Sequence, residues 1–401
     1  MSVQGEWILL AVTGVVALFY LYYYTRYLSG VQRRVRHQTH HRFRWKNNES
    51  EAITAAETPI KGVSVIVCAR NEEDNLQHYL QALCSQKYPL FEVIVVNDGS
   101  EDNTQTVLEH YTQLFRNLRL TFVPRNAWVS SSKKLALTLA AKAARYDYLL
   151  LTDADCRPES PNWITEMMRG FDNTETEVVI GYGGYFSEHS FINRLVRYDT
   201  VQNALTFLGF AMSRHPYMGV GRNLAYRKDM FFRNNGFAGL LNHRAGDDDL
   251  FVNKIANRHN TEVVLTSDSF TWSVPNRTFH DWRVQKYRHL SVSPDYRFGA
   301  KMRLVAEPVL RAAIYTLLII SLVAFFRGDL PFYPVYAVMA VVAVFVGRLI
   351  WLYALMNRGA HIFRTPHFLV SDLLVFDIFL PVYNLMLLIK HAFRRKKEIK
   401  W

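Results

Sequence analysis

Cysteine is scarce in this chain: there are three among 401 residues, Cys68, Cys84 and Cys156. They form no CxxC pair and no zinc-ribbon spacing, which excludes a structural zinc site of that kind. An odd count in so long a chain argues against a disulfide scaffold and fits a reducing compartment. Glycine is missing where a phosphate-cradling loop would need it, because "CARNEED" (68–74) contains none. Acids are missing from residues 26–46, which carry Arg26, Arg33, Arg34, Arg36, Arg42, Arg44 and Lys46. The C-terminal "HAFRRKKEIKW" is a second basic run in a chain of formal net charge +12. Both runs abut apolar stretches, which marks an anionic membrane face and not a nucleic-acid footprint. No internal repeat and no low-complexity tract is present.

What is present begins with an apolar stretch, 7–24, uncharged and long enough to cross most of a bilayer. Glu6 precedes it and Arg26 follows, the reverse of a cleavable signal peptide, so a retained anchor is expected. Its positive flank places the next domain in the cytoplasm. Two more spans are expected at 309–326 and 330–355, separated by "RGD". A third run, 367–389, holds Asp372, Asp377 and Pro381. A full span there would carry the basic tail outside, so a re-entrant or interfacial segment is expected, with a true span as the alternative. The expected organisation is an anchor (1–28), a basic juxtamembrane segment and linker (29–60), a cytoplasmic domain (61–300) and a C-terminal membrane region (301–401).

Between the membrane segments the texture is globular. "VSVIVC" (63–68), "FEVIVV" (91–96), "LRLTFVP" (118–124) and "DYLLLTDAD" (147–155) read as strands. Leu76, Tyr79, Leu80 and Leu83 have helical spacing, and "KKLALTLAAKAARY" (133–146) reads as a helix. Strands alternating with helices predict an α/β domain with a mostly parallel sheet. Ligands in such sheets bind at the carboxyl ends of the strands. All four ends are polar here: 69–72, 97–100, Arg125–Asn126 and Asp153–Asp155.

The strand ending on Asp153 and Asp155 poses a problem of like charges near a core. A divalent cation, Mg²⁺ or Mn²⁺, would neutralise them and bridge the phosphates of a nucleotide. The plain alternative is a pair of aspartates capping the next helix. Asp98 ends another strand, placed to accept hydrogen bonds from a base or ribose, or merely to make a turn. Asp247, Asp248 and Asp249 stand together before "LFVNK", more acids than a cap needs, and grouped acids suit a general base. Gln285 and Arg288 lie three apart on one helix face, and Arg288 has the fork to grip a diphosphate. Alone, that helix reads equally as a solvated amphipathic one.

In this order, "VSVIVCARNEEDNL", "VIVVNDGSEDNT", "KKLAL", "LLLTDADC", "GRNLAYRK", "GDDDL" and "QKYRH" resemble the inverting family 2 glycosyltransferases of GT-A fold, over roughly residues 60–300. The flanking spans match the membrane-bound branch, to which cellulose and hyaluronan synthases belong. The resemblance implies that Ala69, Arg70 and Glu72 line a nucleotide pocket and that Asp98 contacts the base, with a UDP-sugar as donor. It implies Lys133 and Asp153 beside the nucleotide and Asp155 on the metal, with Asp153 assisting. It places Gly221 and Asn223 on the floor of the acceptor site. The acid cluster would supply the base. Counting back from Leu250 selects Asp247, whereas the "GDD" form selects Asp248. Gln285 and Arg288 complete the catalytic set.

One departure stands out. The family's Gln-x-x-Arg-Trp ends here in His289, at the acceptor position where the Trp of processive members stacks on sugar. The expected activity is therefore transfer of one sugar from a nucleotide-sugar to a lipid-linked or glycan acceptor, at a cell membrane of bacterial inner-membrane type. A processive polysaccharide synthase is the first alternative. A non-catalytic membrane protein keeping the fold is the second.

Overall fold

The computed structural model describes residues 3–28, 30–31, 35, 60–124, 132–241, 243, 245–326 and 334–398. Arg125–Asn126, the "RGD" loop and most of the basic run at 26–46 lie outside them, as does the linker at 47–59.

In chain order the elements are α1 (Val3–Tyr23), β1 (Val63–Ala69), α2 (Glu73–Cys84), β2 (Phe91–Asn97), α3 (Thr104–Leu114), β3 (Leu118–Phe122), α4 (Ser132–Ala143), β4 (Tyr148–Asp153) and β5 (Cys156–Pro158). Then come α5 (Trp163–Arg169), β6 (Val178–Ile180), β7 (Gly183–Tyr185), α6 (Phe191–Met212), β8 (Leu224–Arg227), α7 (Lys228–Arg233), α8 (Asp249–Ile255), β9 (Thr261–Val263) and β10 (Thr271–Ser273). The chain ends with α9 (Phe279–Val292), α10 (Phe298–Phe326), α11 (Pro334–Ile362) and α12 (Val370–Glu398).

The main sheet has the order β3-β2-β1-β4-β8-β6-β9. The four expected strands are parallel, with β1 between β2 and β4. β8 then runs antiparallel to both β4 and β6. Alternation divides the core. Val65, Val67, Val93, Val95 and Leu150 face one helical layer, while Ile66, Ile94, Val96, Leu149 and Leu151 face the other. Strands buried on both faces must be apolar throughout, which is why these runs are so greasy. Register then aligns the strand ends: Ala69 pairs with Asn97, and Cys68 with Asp153. A small second sheet, β5-β10-β7, continues from the Asp-Ala-Asp turn.

Helices α1, α10 and α11 pack on one another. The apolar segments of α10 (298–323), α11 (338–362) and α12 (370–393) are each long enough to cross a membrane. α12 packs on α6 and α9 of the α/β domain, and through Asp377 also on α10 and α11. Its contacts run from Asp372 beside Arg194 (3.5 Å), through Phe376 beside Phe191, to Tyr383 stacked on Trp282 and His391 beside Tyr287. α12 is one continuous helix, so the chain reversal of a re-entrant segment is not found. Its opposite face exposes Val375, Ile378, Val382, Leu385 and Ile389.

Asp377 is fully inside. Arg348 grips it with two 2.7 Å hydrogen bonds, and Tyr315 donates a third. Pro381 has no N–H for the Asp377 carbonyl four residues back, and Arg311 Nη1 donates to that carbonyl at 2.9 Å. A buried carboxylate and a proline that look costly in the sequence are thus both compensated.

Candidate active site

The site forms where the aligned ends of β1, β2 and β4 meet α4, β8 and the loop before α8. Two turns are tied together at one side of it. Asn71 takes a left-handed φ of 55°, donates its backbone N–H to the Ser100 hydroxyl, and accepts from Glu101 N at its side-chain oxygen. Asp98 N donates to the Ala69 carbonyl at 2.8 Å, which fixes Asp98 beside β1. Ala69 is buried in the sheet, with its carbonyl taken by Asp98 N. Arg70 is exposed at the rim. Burial raises the Glu72 carboxyl above its usual range, opposed by the Asn75 amide and helped by Asp155 and Asp153.

Lys133 is the hub. Its Nζ stands 2.9 Å from Asp153 and 3.3 Å from Asp247, joining the strand-end carboxylate to the acid cluster. Burial opposes its charge, but Asp153 and Asp247 raise its pKa well above the ordinary lysine value. The reciprocal effect outweighs burial at Asp247, which Lys133 holds below the usual carboxylate range. Together with Cys68, Thr152, Gly221 and Asp248, these residues line one cavity.

The three consecutive acids have three separate duties. Asp247 faces Lys133 and the cavity. Asp248 caps α8: one oxygen accepts from Asp249 N at 2.7 Å and the other from Gly221 N at 2.9 Å. Asp249 is buried, accepts from the Tyr296 hydroxyl, and is pushed up to about 8 by burial and by Asp248. Beneath them Lys134 spends its ammonium on the carbonyls of His243 and Ala245, pinning the loop. The sequence drew attention to Lys133 and missed Lys134, since adjacent lysines on a helix give no sign of which one turns inward.

Asp155 lies on the other side of Asp153. Burial and Asp153 raise its pKa, while the Ser273 hydroxyl donates to it. Among the described residues, Asp153, Asp155 and Cys156 form a group whose ligand atoms lie within 4.8 Å of one another. Two mutually repelling carboxylates are a donor set suited to a hard divalent cation. Burial raises the pKa of the Cys156 thiol, whose Sγ donates to Asp155 Oδ1.

The acceptor side needs a correction. Asn223 is fully enclosed. Its oxygen accepts from Trp163 Nε1, and its amide donates to the carbonyls of Tyr182 and Ser269. It braces the floor from beneath and cannot meet an acceptor, whereas Gly221 lines the cavity. Gln285 accepts from Asn276 and donates to the Tyr185 hydroxyl at 2.9 Å, so it braces β7. Arg288 is exposed. His289 is exposed as well.

Residues 64–238 match the family described as Glycosyl transferase family 2. The chain carries a family 2 glycosyltransferase domain. The poly-beta-1,6-N-acetyl-D-glucosamine synthase of Staphylococcus epidermidis is 32% identical over 108 residues, 27% of this chain and 25% of that protein. The chondroitin synthase of Escherichia coli is 23% identical over 236 residues, 51% of this chain and 34% of the synthase. The aligned segments thus span a quarter to a third of these relatives. A mannosyltransferase from Pyrobaculum calidifontis, solved with GDP-Man and Mn²⁺, shares the fold. Its TM-score is 0.52 at 19% identity, over 93% of this chain and 99% of that one. This family 2 domain is therefore a GT-A-like α/β domain joined to apolar helices.

Proposed function

We propose that this protein is a membrane-anchored inverting glycosyltransferase. It moves one sugar from a nucleotide-sugar, of UDP type, to a hydroxyl of a lipid-linked or glycan acceptor. The observation that carries the reading is the Lys133 bridge between Asp153 and Asp247. It sets a donor-side carboxylate and a candidate base against one cavity, as an in-line displacement requires.

Asp155, with Asp153, would hold Mg²⁺ or Mn²⁺, and that ion would supply charge neutralisation at the departing diphosphate. Asp98, Glu72 and Arg70 border the nucleoside end, and Lys133 meets its phosphates. Asp247 takes the acceptor proton: it is ionised, next to the cavity and not used as a cap. Asp248 holds Gly221 and α8 in place. Single addition, and not processive synthesis, is supported by His289, a small ring where a broad stacking surface would serve a growing chain.

The membrane arrangement follows from packing. α1 enters, α10 leaves and α11 returns, with the catalytic domain in the cytoplasm behind the basic flank. α12 lies in the membrane plane. From Asp372 to His391 it spends roughly 28 Å of helix against the catalytic domain. Were it to cross, α9 would be drawn into hydrocarbon with Arg283, Lys286 and Arg288, at about 2.5–3.5 kcal/mol per charge near mid-bilayer. The site then opens beside the bilayer surface, where a lipid-linked acceptor resides.

The test is donor hydrolysis and transfer by the purified full chain in detergent, with Mn²⁺ and a panel of UDP- and GDP-sugars. Release of nucleoside diphosphate from one donor class is expected. A folded protein that releases none from any donor, with membrane lipid extract supplied as acceptor, would sink the proposal.

A further inference from the structure

Arg222 was not among the sequence-derived site residues, yet the fold builds a seat for it. It lies in the single helical turn Gly221–Asn223 just before β8. That turn is locked on both sides, by Asp248 on Gly221 N and by the buried Asn223 amide. The side chain crosses Gly183, where an added Cβ would come 3.1 Å from Arg222 Cβ and 3.2 Å from Nε. The guanidinium lies over the Tyr185 ring, 4.3 Å from its centroid. Nη2 donates to the Gly183 carbonyl at 3.2 Å, and Thr271 Oγ1 donates to the Arg222 carbonyl.

This is more construction than a surface arginine receives, and it leaves a charge only partly used. Nε is buried without a partner. Burial opposes the charge, but Tyr185, Cys156, Asp153 and Asp155 keep it firmly protonated. Arg222 is thus within electrostatic reach of both strand-end aspartates, yet among the described residues no direct ion pair joins them. A cation near a carboxylate pair suited to a divalent metal is placed to meet an anionic group that such a metal would hold. The Tyr185 ring also fixes the plane of the guanidinium, which favours bidentate recognition of phosphate oxygens.

We propose that Arg222 binds the diphosphate of the nucleotide, opposite Lys133, and so stabilises the leaving group from the acceptor side of the metal carboxylates. This rests on the glycosyltransferase reading. It reassigns to Arg222 the part expected of Arg288. An exposed arginine is screened by solvent, whereas one seated between Tyr185 and Gly183 acts at lower dielectric.

The experiment is calorimetric titration of the full chain in detergent with Mn²⁺, comparing UDP with UMP and GDP with GMP. Wild type is expected to prefer the diphosphate. Arg222→Gln should weaken diphosphate binding about 10- to 100-fold, the size of a lost charged hydrogen bond, with monophosphate affinity unchanged within about twofold. Arg222→Lys should recover only part, since it keeps charge without the fork. Arg222→Met, which keeps an apolar stem over Tyr185, decides the matter if the glutamine variant melts early. An unchanged ratio of diphosphate to monophosphate affinity would overturn the proposal, as would equal loss of both. A wild type that binds no nucleoside diphosphate would overturn the transferase reading and this proposal with it.

Discussion

Replacing Asp247 by asparagine removes a carboxylate without changing its shape, and the surroundings define what should follow. Lys133 is shared between Asp247 and Asp153. Breaking a buried ion pair costs about 3–5 kcal/mol when it strands a lone charge. Here Lys133 keeps Asp153 at 2.9 Å, so no charge is stranded. Stability should change by less than about 1 kcal/mol, a melting shift of roughly 2–4 °C at most for a domain of this size. Turnover should fall about 10²–10⁴-fold, the usual contribution of a general base and about 2.7–5.4 kcal/mol of barrier. Nucleotide affinity should hardly move, because the base acts on the acceptor. Asp248→Ala should show a different balance. It removes a helix cap, at about 1 kcal/mol, and releases Gly221 N, so it lowers the melting temperature more. The assay is transfer rate, nucleotide affinity and thermal melting on the same preparations. Normal turnover in Asp247→Asn with collapse in Asp248→Asn, whose one amide oxygen can still cap α8, at an unchanged melting temperature would move the base to Asp248. Normal turnover in both would reduce the cluster to a cap.

The remaining predictions concern metal, pH and topology. Asp155→Ala, or EDTA with wild type, should abolish transfer while the fold persists, since one of two repelling carboxylates is removed; full activity in EDTA refutes the metal role. Asp249 has its folded pKa raised to about 8. The folded state therefore keeps a proton that the unfolded chain releases near pH 4. Stability should decline as pH rises from about 4 towards 8 and then level off, and Asp249→Asn should flatten that slope in detergent melts. An identical slope in the variant refutes the assignment. On the proposed topology, with α12 at the cytoplasmic face, Phe393→Cys in a cysteine-free chain should react with an impermeant maleimide only after permeabilisation of cells. Labelling in intact cells would show a true span.

The α/β domain was legible because continuous apolar runs and helical spacing are local properties, and burial on both sheet faces makes the runs conspicuous. The order of the motifs announced the family, and the doubled aspartates announced a site for charge. Residue types alone, however, did not assign duties within a cluster. Asp247, Asp248 and Asp249 are chemically identical, and only the approach of Lys133, Gly221 N and Tyr296 makes one a cavity acid, one a cap and one a buried acid. Asn223 read as a floor residue because its motif is conspicuous, whereas three partners distant in sequence enclose it. Arg222 stands inside the "GRNLAYRK" motif but carried no role of its own there, since its importance lies in Gly183 and Tyr185, some forty residues earlier in the chain. Asp377 looked too costly for a helix among lipids until Arg311 and Arg348 arrived from two other helices. Local periodicity carries secondary structure. The partners of a charge come from residues remote in the chain, so tertiary packing alone settles what each charged residue does.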